Sequence, residues 1–521
     1  MLDLAGVRET EVVSLRGPAQ RTEKKMTLWL AAALLACKAP DAENPAPWTF
    51  ETTRGETWRP QVHFSPAENW LNDPNGLVWL EGEWHLFYQH QPDFDVWGPM
   101  HWGHAVSTDL FHWEDLPIAF SPDPVLGMAF SGSAIADEDN ATGLCAGSSC
   151  LIAMLTHHGG DDGTEKQSLA VSDDRGRTWA LHEDNPVLPN PGIADFRDPK
   201  IIRWEGEYVM VLAVGDHVAF YRSDDLLQWT WTGDFGPEGV DGGVWECPEL
   251  FALTDDDGVE HWVLQVDTNP GGPQGGSGAH WFVGDFDGEN FSGVSAGYAD
   301  YGADFYAAQS WSNAPDGRRI WTAWMGNWLY ALFTPTSPWR GVMTVPREVS
   351  LVGGGEAVQL SQRPVAELLD LRTDVLARER DLEVVDRYDL PDADLFDLEL
   401  EATVGDRDLE IVVRAGGSEE TRIGYVGGEL FVDRSRSGED SFSEFFAGRH
   451  SLPIALEELD LRVVVDWSSI EVFAQDGTVV FTDQIFPDPD SRGLRIETNG
   501  RVDIHRLEVH ALRSGWETGG D

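Results

Sequence analysis

The chain has 521 residues, enough for two or three domains with at least one large core. It carries 90 acidic residues against 36 basic ones, a formal net charge of -54, which repels nucleic acid and anionic lipid surfaces. We therefore expect neither as a partner. The charge is typical of a solvated acidic surface suited to a salty habitat, since a neutral ligand gains little from it.

Residues 1–36 resemble a targeting segment, with basic residues before an apolar run too short to span a bilayer. The run ends in Leu34-Leu35-Ala36-Cys37, which is similar to a bacterial lipobox. This predicts lipidation of Cys37 and a tether over residues 37–57, and a plain cleaved signal peptide is the alternative. We expect an exported protein, either a cell-surface or periplasmic lipoprotein or a secreted one. Any membrane contact would be made only through the anchor.

Two segments further along repeat at an offset of 125 residues without a gap. Asp73-Pro74 is followed by Trp79-Leu80-Glu81-Gly82-Glu83-Trp84, and Asp198-Pro199 by Trp204-Glu205-Gly206-Glu207-Tyr208. Each unit is typical of strand, glycine turn and strand. A second repeated pattern, Ser-x-Asp followed by Trp, ends at Trp113, Trp179 and Trp229, where the ring would cover the hairpin behind it.

These spacings match the blades of a propeller, and the fold class is all-β. The predicted blades are 62–120, 128–182, 194–235, 245–292 and 303–352. The predicted segments are a five-bladed β-propeller over 58–360, a linker over 361–375, a β-sandwich over 376–512 and a tail over 513–521.

The repeat places Asp73 and Asp198 at equivalent positions, and Glu246 begins the fourth blade beside Pro248, in register with Pro74 and Pro199. Three acids thus reach the opening of one central funnel. Cleavage of a glycosidic bond needs one carboxylic acid and one carboxylate, so the three supply the required pair. A calcium site or a structural turn remains an alternative at this point. Arg197 is expected to keep Asp198 ionised, and Trp97 and Trp328 to form platforms for sugar rings.

The cysteines have plainer interpretations. Cys145 and Cys150 flank a short Gly/Ser loop and would pair in an oxidising compartment, or else remain two free thiols. Cys247 is expected to point away from Glu246, between blades, if the strand alternates regularly. The sequence has no metal-ligand spacing and no phosphate-binding glycine loop, so we expect no metal and no cofactor. It gives no indication of oligomeric state.

Trp70-Leu71-Asn72-Asp73-Pro74-Asn75-Gly76 resembles the signature of glycoside hydrolase family 32, the fructosidases that include invertases, inulinases and levanases. Further motifs of that family occur in the same order: Phe87-Tyr88-Gln89, Trp97-Gly98, His101-Trp102-Gly103-His104, Phe130-Ser131-Gly132-Ser133, Phe196-Arg197-Asp198-Pro199, Trp245-Glu246-Cys247-Pro248, Asp304 to Gln309, Trp324 to Trp328 and Pro338 to Gly341. The resemblance covers about residues 58–512 and extends into the sandwich at Asp433 to Gly438 and Ser469 to Phe473.

The resemblance implies a retaining hydrolase that releases fructose from levan, inulin or sucrose, with exo attack expected. It implies that Asp73 is the nucleophile, Glu246 the general acid/base and Asp198 a stabiliser of the transition state. The implied sugar contacts are Asn72, Gln89, Trp97, Ser131, Arg197 and Trp328. Leu71 departs from the family's usual Met, a swap that conserves volume.

Three other functions fit parts of the pattern. The same fold could act as a fructosyltransferase, in which another sugar replaces water. An inverting arabinan or xylan hydrolase is disfavoured by the motifs at Asn72 to Gly76 and Glu246-Cys247. A non-catalytic fructan-binding lipoprotein is disfavoured because all three acids are present.

Overall fold

The computed structural model describes residues 54–516, apart from positions 161, 238, 240 and 241. The predicted signal segment and Cys37 lie outside the described residues. Within them the regular structure consists of 31 strands and five 3₁₀ helices, of which the longest has six residues. None of these helices is long and apolar enough to cross a membrane.

Five four-stranded antiparallel blades form the propeller. The first comprises β1 (Asn69–Leu80), β2 (Glu83–Gln91), β3 (His101–Ser107) and β4 (Trp113–Phe120). The second comprises β5 (Met128–Asp137), β6 (Cys150–Gly159), β7 (Thr164–Ser172) and β8 (Ala180–Leu181). The third comprises β9 (Phe196–Trp204), β10 (Glu207–Val214), β11 (His217–Ser223) and β12 (Thr230–Phe235). The fourth comprises β13 (Val244–Thr254), β14 (Glu260–Asn269), β15 (Gly278–Phe286) and β16 (Phe291–Tyr298). The fifth comprises β17 (Tyr306–Ser310), β18 (Ile320–Trp324), β20 (Arg347–Val352) and β21 (Gln359–Pro364). The short strand β19 (Trp339–Arg340) follows β18 in the chain but pairs with β1 of the first blade.

The repeated glycine turns form as predicted. Glu81 and Gly82 both have positive φ, 49° and 87°, and the pair Glu205 and Gly206 has 48° and 92°. Two consecutive positive φ values define the type I′ turn that suits the twist of a hairpin. Each turn joins the first two strands of its blade.

The Ser-x-Asp pattern forms a second repeated turn. In the second blade the Asp174 carboxylate accepts the backbone N–H of Thr178 at 2.8 Å, and the indole N–H of Trp179 donates to the Gly176 carbonyl at 3.1 Å. Trp113 and Trp229 donate to equivalent carbonyls at 3.0 Å in the first and third blades. The tryptophan of each pattern therefore satisfies a turn carbonyl as well as covering the hairpin.

The five first strands contact one another in a ring, and each pair of neighbouring blades encloses its own buried apolar cluster. The ring closes where β19 pairs in parallel with β1, at Asn69 opposite Trp339. Ser312 adds a second connection, because its N–H donates to the Leu77 carbonyl at 2.9 Å. The last blade is thus joined to the first by backbone hydrogen bonds.

The second domain is the predicted β-sandwich. Its strands are β22 (Arg372–Leu390), β23 (Phe396–Thr403), β24 (Leu409–Gly416), β25 (Glu419–Val426), β26 (Glu429–Asp433), β27 (Arg449–Pro453), β28 (Glu458–Asp466), β29 (Ser469–Ala474), β30 (Val479–Gln484) and β31 (Gly493–Leu512). The long strands β22 and β31 pair along their length and belong to both layers. One half of β31 pairs with β24 and the other half pairs with β23, so this strand joins the two layers. The two layers enclose a common apolar core. The pairing shifts at Asp386, which has φ 89° and marks the bend.

The domain limits differ from those predicted. Strand β21 completes the fifth blade at Pro364, beyond the predicted end at 360, because the last outer strand follows the 3₁₀ helix Gly355–Ala357. Strand β22 begins at Arg372, so the predicted linker over 361–375 is reduced to the residues around the 3₁₀ helix Ala366–Leu371. The other 3₁₀ helices are Pro315–Gly317, Ala331–Phe333 and Gln475–Gly477.

Both ends of the described part pack against the domains, so the predicted tether and tail are partly folded. The guanidinium of Arg54 lies 4.0 Å from the ring centre of Trp516, and the Trp516 indole N–H donates to the Pro60 carbonyl at 2.7 Å. Residues 54–57 of the predicted tether and 513–516 of the predicted tail therefore belong to the folded unit.

Buried charges join the two domains. Arg347 in the fifth blade is fully buried and pairs with Glu471 of the sandwich, and Arg434 of the sandwich pairs with Asp304 at 2.5 Å. His63 lies 2.8 Å from both Asp466 and Glu471. The sandwich motifs at Asp433 to Gly438 and Ser469 to Phe473 thus supply the groups that dock the sandwich on the propeller.

Cys145 and Cys150 are joined by a disulfide, with their Cα atoms 5.3 Å apart. The bridge closes the loop between β5 and β6 in the second blade.

Candidate active site

The first strand of every blade has a β-bulge near its beginning. The interrupted pairs lie between Leu71 and Pro74, Ala129 and Gly132, Arg197 and Lys200, Glu246 and Glu249, and Tyr306 and Gln309. A bulge leaves a residue unpaired and turns its side chain out of the regular alternation. Because the five strands stand in a ring, the five bulges meet at one end of the central funnel.

The first and third bulges supply hydrogen-bonded carboxylates. Asp73 Oδ2 accepts the Ser131 hydroxyl at 2.6 Å, and its Oδ1 accepts the Asn72 amide at 2.8 Å. Asp198 has φ 63° and its Oδ2 accepts the backbone N–H of Cys247 at 3.0 Å. Both carboxylates are thus held by groups from neighbouring blades.

Cys247 lies between these two carboxylates, which corrects the prediction that it packs between blades. Its Sγ is 3.8 Å from Asp73 Oδ2 and 3.6 Å from Asp198 Oδ2. The prediction assumed regular alternation, whereas the bulge gives Cys247 a φ of 46° and turns its side chain into the funnel. Burial raises the pKa of the thiol well above its ordinary value, so the thiol remains protonated and donates.

The residues just before the last three bulges form a row. Arg197 Nη2 lies 3.0 Å from Glu246 Oε1, and the Tyr306 hydroxyl donates to Glu246 Oε2. Glu246 is more exposed than Asp198, with 21 % of its side chain exposed against 4 % for Asp198. Glu246 is therefore more accessible to solvent than Asp198.

Burial raises the pKa of the two aspartates. The pKa of Asp73 rises to about 6, and the neighbouring charge of Glu246 adds to the effect of burial while hydrogen bonds from Ser131 and Asn72 oppose it. The pKa of Asp198 rises to about 8 by burial and by the charges of Glu246 and Asp73. Arg197 opposes this rise without cancelling it, because its guanidinium is 4.0 Å from Asp198 and directed at Glu246. Burial and the neighbouring acids thus oppose the predicted effect of Arg197 on Asp198.

Aromatic side chains surround the acids. The Trp70 indole N–H donates to the Asn72 side-chain oxygen at 2.8 Å, and Trp70 stacks on Trp328 with ring centres 5.9 Å apart. Trp97 packs edge-on against Phe130, the neighbour of Ser131, with ring centres 5.9 Å apart. Gln89 is buried and donates to the Ala129 carbonyl at 3.1 Å, beside the second bulge.

Family models match almost all of the described chain. Residues 63–364 match the N-terminal domain of glycosyl hydrolases family 32, and residues 367–511 match the C-terminal domain of the same family. The chain belongs to glycoside hydrolase family 32. The boundary between the two models falls at the 3₁₀ helix Ala366–Leu371, where the structure also divides the domains.

Individual members of family 32 are similar over most of the chain. A levanase of Bacillus subtilis is 45% identical over 89% of this chain and 72% of its own length. An extracellular exo-inulinase of Aspergillus awamori is 35% identical over 90% of this chain and 97% of its own length. The crystal structure of exo-inulinase from Aspergillus awamori superposes with a TM-score of 0.83, at 33% identity, over 90% of this chain and all of that one. A fructofuranosidase from Schwanniomyces occidentalis complexed with fructose gives 0.81, at 28% identity, over 89% and 99% of the two chains.

The structure adds residues to this family 32 site that the sequence analysis did not assign. Tyr306 lies in the family motif Asp304 to Gln309 without a predicted role, and its place in that motif was the only signal for it in the sequence. Glu165 and Asp195 contact Arg197 at 3.1 and 2.7 Å, and nothing in their local sequence indicated this. Asp267 lies opposite Glu246 on β14, fully buried, and accepts the Gln265 amide at 2.7 Å. Burial raises the pKa of Asp267 well above its ordinary value, so we treat it as neutral.

Proposed function

We propose that this chain is a retaining hydrolase that releases terminal fructose from β-fructosides such as levan, inulin and sucrose. The observation that carries the proposal is the arrangement of Asp73 and Glu246. One carboxylate lies on the first bulge and accepts the Ser131 hydroxyl, and the other lies in the fourth blade between a cation and a hydroxyl donor. Retaining hydrolysis needs such a pair on opposite sides of the scissile bond.

In the proposed mechanism, Asp73 attacks the anomeric carbon of fructose while Glu246 gives its proton to the departing oxygen. The bond from carbon to the leaving oxygen breaks as the bond to Asp73 forms. Glu246, now a carboxylate, then takes a proton from water, and the water oxygen displaces Asp73. Asp198 hydrogen-bonds the sugar hydroxyls beside the anomeric carbon and stabilises the transition state.

The relatives indicate the substrate class. The similar enzymes are named levanase, exo-inulinase and fructofuranosidase, so a fructan or sucrose and exo attack are the functions that the similarity supports. The test is product analysis with sucrose, inulin and levan. Free fructose as the early product from all three would support exo hydrolysis. Early oligosaccharides would indicate endo attack, and fructosylated sucrose would indicate a transferase.

The anomer of the first product tests retention. Early NMR of released fructose should show the β-anomer, because two displacements restore the original configuration. Appearance of the α-anomer first would exclude Asp73 as a nucleophile.

Two substitutions separate the proposed roles of the acids. Asp73→Asn should lower turnover by several orders of magnitude on every substrate, because it removes the nucleophile. Glu246→Gln should lose far less on an activated aryl fructoside than on sucrose, since a good leaving group needs no protonation. An equal loss on the two substrates would exclude Glu246 as the acid.

We also propose that the enzyme is exported, as the name of the extracellular exo-inulinase indicates for that relative. Lipidation of Cys37 is the further part of this proposal. The full chain should then partition with membranes, and Cys37→Ser should release it or block its processing. A wild-type protein found wholly in the medium would leave simple secretion.

A further inference from the structure

Arg197 is in contact with carboxylates from several parts of the propeller. Its Nη1 lies 2.7 Å from Asp195 and 3.1 Å from Glu165 of the second blade. Its Nη2 lies 3.0 Å from Glu246 of the fourth blade, and its Nε is 4.0 Å from Asp198. One positive charge is therefore divided among four carboxylates, and Glu246 receives only a part of it.

Glu165 is fixed by contacts that do not depend on Arg197. Its Oε2 accepts the backbone N–H of Phe196 at 2.5 Å, and its Oε1 lies 3.3 Å from His158 Nδ1. The His158 ring in turn stacks on Phe130, with centres 4.5 Å apart and planes inclined by 3°. With only 9 % of its side chain exposed, Glu165 is a rigid anionic contact on the side of Arg197 away from Glu246.

We infer that Glu165 is a positioning residue for the reaction: it draws the charge of Arg197 toward the second blade, so that Glu246 can hold its proton until the leaving group takes it. The inference rests on the proposed function, in which Glu246 is the general acid. It gives Glu165 a part in catalysis without contact with the substrate.

The groups that face Glu246 set the direction of the effect. They are Arg197 of the third blade, Tyr306 of the fifth, Asp73 of the first, and Asp198, Cys247 and Asp267 around the funnel. Arg197 is the cation of this set. Replacing the Glu165 carboxylate by an amide leaves more of its charge on Glu246 and also removes a nearby negative charge. Both changes stabilise a negative charge at Glu246, so the variant should be a weaker proton donor to the leaving group.

The test is the pH profile of kcat/KM for sucrose in Glu165→Gln. The alkaline limb should move to lower pH by roughly 0.5–1 unit, with the acid limb unchanged. On an activated aryl fructoside, which needs no proton donor, the variant and wild type should give superimposable alkaline limbs. Asp195→Asn removes another contact of Arg197, at a side chain that is 40 % exposed, and should shift the limb in the same direction by less.

Glu83→Gln is the matched control. Glu83 pairs with Arg177 at 2.6 and 2.8 Å across the first two blades, and its loss should lower Tm without moving the profile. A Glu165→Gln profile that is uniformly lower, with unmoved limbs, would overturn the inference and leave Glu165 a structural residue. A wild-type alkaline limb on sucrose that persists equally on the aryl fructoside would instead overturn the assignment of Glu246, and thus the proposed function.

Discussion

The buried aspartates show how single residues in this site are placed at a cost to stability. Asp198 is 4 % exposed and its pKa is raised to about 8, so its ionised form is less stable in the folded chain than in water. A carboxyl group at this position contributes less to folding as the pH rises, because the folded state binds the proton more tightly than the unfolded state does. Asp198 therefore occupies a position at which its ionised form lowers the stability of the folded chain.

We predict that Asp198→Asn increases stability most at high pH. The contribution of Asp198 is fully present below about pH 4 and is lost as the pH rises through about 8, whereas asparagine does not titrate. The Tm of the variant minus that of wild type should thus grow from pH 5 to pH 9. For Asp73→Asn the same difference should grow only up to about pH 6 or 7, because the pKa of Asp73 is about 6. A difference that is constant with pH would contradict both expectations.

Single residues also differ in how far their positions could be predicted from the sequence. The repeat predicted that Asp73, Asp198 and Glu246 reach one opening, because equivalent positions in a ring of blades meet at its centre. It could not predict the direction of Cys247, since alternation fails at a bulge and the sequence does not mark the bulge. Glu165 was missed for another reason: its contact with Arg197 depends on the packing of two blades, which no local pattern records.

At the scale of the element, the repeated turn between the third and fourth strands is built around an indole N–H. Trp113, Trp179 and Trp229 each donate to a turn carbonyl. An aspartate also accepts a backbone N–H in each turn: Asp109, Asp174 and Asp225. The pattern was legible in the sequence because its residues lie within eight positions of one another. The hairpins of strand, glycine turn and strand could be recognised for the same reason, because their residues are also close together in the sequence.

Trp179→Phe should lower the free energy of unfolding by about 1–3 kcal/mol, because it leaves the Gly176 carbonyl without its donor. Chemical denaturation measures this, and the KM for sucrose should not change. Trp231→Phe is the control, since that indole is 55 % exposed and its partner Asp234 can bond water. Its effect should stay within about 0.5 kcal/mol. Equal losses in the two variants would show that the indole bond is not the source of stability.

At the scale of the molecule, the contact between propeller and sandwich is polar and buried. The side chains of His63, Asp466 and Glu471 are all fully buried. His63 lies 2.8 Å from Asp466 through one ring nitrogen and 2.8 Å from Glu471 through the other. Although burial opposes it, hydrogen bonds to Asp466 and Glu471 raise the pKa of His63 to about 9. None of this was predictable from the sequence, because the partners are more than 400 residues apart.

We predict that His63 makes the stability of the enzyme fall in mild alkali. Its contribution is fully present below about pH 6.5 and is lost as the pH rises through about 9. The free energy of unfolding of wild type should fall relative to that of His63→Gln by about 3 kcal/mol between pH 6 and pH 9.5. Denaturation curves of both proteins at the two pH values measure it, and parallel behaviour would show that His63 is neutral throughout.

The net charge of -54 gives a further prediction for the whole molecule. Self-repulsion extends over about 30 Å at 0.01 M salt and about 3 Å at 1 M, so Tm should rise steeply over that range. The KM for sucrose should change little, because the substrate is neutral. A flat Tm across a sodium chloride series would show that the spacing of the charges already relieves the repulsion.

The closure of the ring by β19 on β1 also has a consequence for biosynthesis. Strand β1 begins at Asn69 and its parallel partner begins at Trp339, 270 residues later. At synthesis rates of about 5–20 residues per second, the edge of β1 waits roughly 15–55 s for that partner. During this time it presents unpaired backbone groups to other chains, which is the usual hazard of an open strand edge. The central funnel, which needs the first and fifth blades together, can therefore be completed only after the fifth blade has been synthesised, as far as Pro364.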